Sequence, residues 1–165
     1  MIGFKNKRLL GFTIVEMVMV MVIVVILAIA VMPRFFSVLT YNRQVFSDEI
    51  TNSLRFARKL SVATGNRIQV TVTSNSITLQ RRVEGSSCTL GTTFQPVMDP
   101  VTNTAGFVRN VPTNVTLTFS SGWPVYFNSL GQAMRASDCT VSGNVTITVV
   151  GGKTITLYGE TGFVE

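Results

Sequence analysis

Histidine is absent from this sequence, cysteine occurs only twice, and 13% of the 165 residues are charged. Without histidine the commonest general base and the commonest metal ligand are both missing. The two cysteines, Cys88 and Cys139, have no CxxC spacing and so build neither a zinc nor a redox motif. Asp48 and Glu49 are neighbours on a helical stretch and do not face each other. No catalytic set, metal cluster, phosphate loop, cofactor box or internal repeat can be assembled by spacing, so the residues give no ground for an enzyme and no cofactor is expected. Acids are also scarce, 8 against 14 bases for a formal charge of +6. Lys5, Lys7 and Arg8 all precede Gly11, however, and removing them leaves 11 bases against 8 acids, a balance of +3. Whole-chain charge is therefore poor evidence for nucleic acid binding. The clustered early bases read as a positive-inside signal that puts residues 1–11 in the cytoplasm and the rest beyond a membrane.

What is abundant is apolar sequence. From Phe12 to Arg34 the only charge inside the run is Glu16. As a helix this segment is about 34 Å long, against a hydrocarbon core of roughly 30 Å, so it can span once. A lone acid in such a span costs on the order of 3 kcal/mol and calls for a partner. A cleaved secretory signal shares the basic start and apolar core, and Ala28-Ile29-Ala30 offers a small-residue cut. The acid and the helical pattern continuing on both sides of that cut oppose it. Both cysteines lie in the exported part, where an oxidising compartment favours a Cys88–Cys139 disulfide. A bond closing roughly 50 residues contributes about 4 kcal/mol by chain entropy. Two buried thiols are the alternative.

Beyond Pro33, Val45/Phe46, Ile50, Leu54, Ala57 and Leu60/Ser61 recur every three to four residues, which predicts a helix to about Thr64. Pro33 is expected to kink that helix without ending it, and Gly65-Asn66 to stop it. From Arg67 the period drops to two. "RIQVTVT" and "ITLQRRV" flank the turn "SNS", "NVTLTF" and "PVYFN" flank "SSGW", and "NVTITVV" meets "KTITLYG" across Gly151-Gly152. One face carries Ile68, Val70, Val72, Val115, Leu117, Phe119, Val145, Ile147, Val149, Ile155 and Leu157, with Phe46, Ile50, Leu54 and Ala57 as its helical cover. Residues 84–112 read as one long loop region and "NSLGQAMRASDCTVSG" as a second. The expected fold is α+β: a long kinked N-terminal helix, half membrane and half amphipathic, packed on an antiparallel sheet or small β-sandwich. The organisation is a leader at 1–11, a membrane or filament-core helix at 12–36, an amphipathic helix at 37–65 and an exported β-rich domain at 66–165. Two Asn-Val-Thr triplets, at Asn114 and Asn144, match a glycosylation pattern, but strand alternation explains both.

Gly11 followed by Phe12, Thr13, Glu16 and a long apolar run ending in "MPRFF" resembles the type IV prepilin family, the pilins and the pseudopilins of type II secretion. The resemblance implies that prepilin peptidase cuts between Gly11 and Phe12 and methylates the new N-terminus on Phe12. It also implies that Glu16 attracts the terminal amine of a neighbouring subunit, since an acid and an amine in an apolar core each stay costly until paired. "LRFARKLSVATGNRIQVTV" and "VYFNSLGQA" are similar to the GspH/FimT branch, which implies a minor subunit that starts or caps a fibre, and "MPRFF" is similar to pilins of the MSHA kind. Implied partners are other pilin or pseudopilin subunits, the peptidase and an inner-membrane assembly platform. The implied location is the bacterial inner membrane, single-pass with the C-terminal domain periplasmic, and then the pilus or pseudopilus. The rival is a tip-exposed binder of DNA or a surface through Arg55, Arg58, Arg81 and Arg82, within a basic set that also includes Lys59 and Arg67. The ending "GETGFVE", with Glu160 and Glu165, opposes DNA.

Overall fold

The computed structural model describes residues 12–83 and 93–165. The chain divides into two compact units, the first ending at Val38 and the second running Leu39–Glu165. The described part of the first is helical: α1, Ile14–Thr64, starts here and continues unbroken through position 33. Every large apolar side chain from Ile14 to Val31 is exposed, from 46% at Val31 to 85% at Ile14. Ile14–Val31 has a mean hydropathy of 3.2, and it is long and apolar enough to cross a membrane.

In the second unit the rest of α1 is amphipathic. Phe46, Ile50, Leu54 and Ala57, spaced by four, four and three, are at most 2% exposed and fuse into the core. Against them lie, among the described residues, nine strands: β1 Arg67–Val72, β2 Ser76–Arg82, β3 Phe94–Pro96, β4 Phe107–Asn110, β5 Leu117–Phe119, β6 Val125–Phe127, β7 Ala133–Arg135, β8 Val145–Val149 and β9 Thr154–Leu157. One sheet runs β3-β2-β1-β6-β7 with β4 also on β2, and a second runs β5-β8-β9. All pairings are antiparallel. β1 occupies one edge of β2, so β3 and β4 share the other, at Gln80–Arg82 and Ser76–Leu79 respectively. The fold is the α+β arrangement expected, with the helix covering antiparallel sheet.

The β1–β2 hairpin and the β8–β9 hairpin form where the turns "SNS" and Gly151-Gly152 predict them, with Gly151 at φ 73°. Three details differ from the sequence expectation. Residues 93–112 of the supposed long loop contribute β3 and β4, and the second loop contributes β7. "NVTLTF" and "PVYFN" do not pair: β5 joins β8, while β6 takes the free edge of β1, Ile68 opposite Phe127. The segment between them changes sheets because it is tied to Thr146. The Ser120 N–H and the Trp123 indole N–H donate to the Thr146 carbonyl at 3.0 and 3.4 Å, and the Ser120 hydroxyl accepts the Thr146 N–H at 2.9 Å. Phe119, placed by alternation in the core, is instead 44% exposed, because β5 is the open edge of its sheet.

Candidate functional site

The N-terminal helix presents the first candidate. Phe12 stands 75% exposed just before α1, and Gly11 lies outside the described residues. Thr13 caps the helix: its hydroxyl oxygen accepts the Glu16 N–H at 3.3 Å. Thr13-Ile14-Val15-Glu16 is the T-x-x-E pattern of a capping box, so the acid also sits where the helix dipole favours negative charge. That second reason for an acid at position 16 was legible in the spacing and was missed. Pro33 lies within α1; the side chains of residues 32–37 lie outside the described set.

The four candidate arginines do not share one surface. Arg55 donates to the Val164 carbonyl at 3.1 Å and Arg58 to the Gly131 carbonyl at 3.3 Å, which ties the helix to the C-terminal segment and to the β6–β7 turn. With Lys59 and Phe163 they line an open groove of about 470 Å³. Arg81 and Arg82 are consecutive on β2 and so point to opposite faces. Arg81 is exposed and borders a different depression beside Phe56 and Met98, whereas Arg82 is buried with its guanidinium 5.2 Å from the Tyr126 ring centroid. Arg67 lies over the same ring at 5.7 Å. Arg82 is thus a packing residue, and a single four-arginine face is not formed.

A charged node that sequence reasoning missed lies on the other side of the helix. Arg109 on β4 reaches Glu49 of α1 through Nε at 2.9 Å and grips both carboxylate oxygens of Asp99, Nη2 to Oδ1 at 3.0 Å. The same Asp99 oxygen accepts the Val101 N–H at 2.9 Å, and the guanidinium lies 4.1 Å from the Phe107 ring centroid, itself stacked on Phe56 at 5.6 Å. The fork from Arg109, then the Val101 N–H, holds the Asp99 carboxyl well below the usual carboxylate range, and Asp99 raises Arg109 in turn. Asp99-Pro100 is a turn opener that could have flagged the acid. Nothing local flags Arg109 as its partner.

Cys139 ends the turn after β7 in a left-handed conformation, φ 57°, and Cys88 lies outside the described residues. No family model and no curated protein matches the chain. Two solved structures of the minor pseudopilin EpsH from the Type 2 Secretion System of Vibrio cholerae are similar to it. One has a TM-score of 0.50 at 13% identity over 73% of this chain and 92% of that one. The other has a TM-score of 0.53 at 13% identity over 76% and 93%. At this identity the shared property is the fold alone.

Proposed function

We propose that this chain is a structural minor subunit of a type IV pilus, anchored in the bacterial inner membrane, cut after Gly11, methylated on Phe12 and drawn into a filament where it helps start assembly. The observation that carries the reading is α1. One helix exposes every large apolar side chain from Ile14 to Val31 and buries Phe46, Ile50, Leu54 and Ala57 in a folded domain. Each of those exposed side chains is worth about 1.5–3 kcal/mol when removed from water, so the segment belongs first in lipid and then against like helices. Glu16, the acid in that segment, is left for a neighbour's terminal amine.

Mass spectrometry of the mature protein tests the processing: a methylated start at Phe12 is expected, and a start at Val31 overturns it. A minor pseudopilin is the second reading, supported by the fold shared with the two EpsH structures. Deletion separates them, since loss of surface filaments fits the pilus and loss of protein secretion with intact filaments fits the pseudopilus.

A further inference from the structure

A small basin of about 320 Å³ opens in the second unit, lined by Ser121, Gly122, Trp123, Pro124, Arg135 and Ser137. Two segments make it: the sheet-changing stretch between β5 and β6, and β7 with the turn that follows. The indole N–H of Trp123 is already spent on the Thr146 carbonyl at 3.4 Å, and the ring packs on the core. Trp123 and Pro124 therefore supply the basin with rigid apolar wall. Arg135 supplies the polarity. Its Nη1 pairs with Asp138 at 3.2 Å, and with the side chain 43% exposed the guanidinium keeps donors open to a ligand.

Charge decides what kind of ligand suits it. The Thr140 N–H and hydroxyl, then Arg135, hold the Asp138 carboxyl below its ordinary range, so at neutral pH it stays ionised and cancels Arg135. The site has no excess charge for an anion or a cation. It offers two serine hydroxyls that both donate and accept, one guanidinium donor and an aromatic wall, at the small end of ligand-pocket volumes. We propose that this basin binds one neutral pyranose ring of a glycan, its apolar face on Trp123 and its hydroxyls on Ser121, Ser137 and the exposed edge of the Arg135 guanidinium. The site is independent of the filament reading.

Trp123 is the sole tryptophan, so its fluorescence reports this basin alone. Full-length protein in a sugar-free detergent is titrated with the methyl glycosides of glucose, galactose, mannose and N-acetylglucosamine. A saturable change with at least one, at a Kd in the millimolar range, is expected. It should weaken about tenfold in Ser121→Ala/Ser137→Ala and in Arg135→Lys, which keeps the Asp138 pair, with thermal midpoints unchanged. If Arg135→Lys unfolds, the double serine variant carries the test. No saturable change up to about 100 mM, an equal response to glycerol, tighter binding of glucuronate than of glucose, or unaltered affinity in the variants would each overturn the proposal.

Discussion

Glu16 combines two roles that separate by experiment. Its N–H, not its carboxylate, makes the bond to Thr13, so the cap survives loss of the side chain. Glu16→Ala is expected to keep the helix signal of the full chain in detergent yet fail to restore filaments to a deletion strain, as scored by electron microscopy. Restored filaments would remove the proposed role. Asp99 is the other residue whose environment makes a sharp statement. Its folded carboxyl titrates below its unfolded value, so its contribution is complete above about pH 4 and is lost as pH falls below that. Urea midpoints should therefore drop between pH 7 and pH 3. Arg109→Met should lower the pH 7 midpoint and shrink that drop, because the fork that depresses Asp99 is gone. A drop of the same size in the variant would contradict the assignment.

Elements were readable from the chain to different degrees, and length and period explain which. α1 ends at Thr64 as its three-to-four spacing predicts, and Leu54, fully buried on it, belongs to a core cluster that also holds residues of both sheets. Leu54→Ala is expected to cost about 2–5 kcal/mol, seen as a lower thermal midpoint of the second unit's unfolding by circular dichroism. β1, β2, β8 and β9 alternate over four to seven residues next to tight turns, and they fold as drawn. β3, β5, β6 and β7 are three residues each, too short for alternation to stand out from loop sequence. The arginine set failed as a single site for a related reason. Spacing along the chain says that Arg81 and Arg82 are close, while the pleat sends one to solvent and the other under Tyr126.

At the scale of the whole second unit, the C-terminal segment closes the structure. Glu165 and Thr156 exchange both backbone hydrogen bonds, Val164 bridges Leu157, and Arg55 holds the Val164 carbonyl. Gly162 lets this segment in: its φ is 62°, and a Cβ there would meet the Gly131 carbonyl. Gly162→Ala is expected to destabilise by more than about 1 kcal/mol, measured by urea unfolding. A Cys88–Cys139 bond would add a covalent tie to the turn after β7. Alkylation of the folded protein without reductant should label neither cysteine, and full labelling of both would end that proposal.

By itself the sequence determined what local chemistry can express. Composition removed the usual catalytic and metal chemistries. The apolar run with its acid specified the helix, its membrane length and the filament reading, and alternation specified a one-faced antiparallel sheet. Tertiary structure alone decided which strands are neighbours, since edge availability and the anchoring of Ser120 and Trp123 on Thr146 outweigh closeness along the chain. It also decided which charges meet. Glu49 and Arg109 lie 60 positions apart and Asp99 and Arg109 ten, and only folding brings a strand to the helix and a loop to both. The basin of Trp123 and Arg135 has the same origin: two segments with no motif of their own become a site when the sheets fix their backbones side by side.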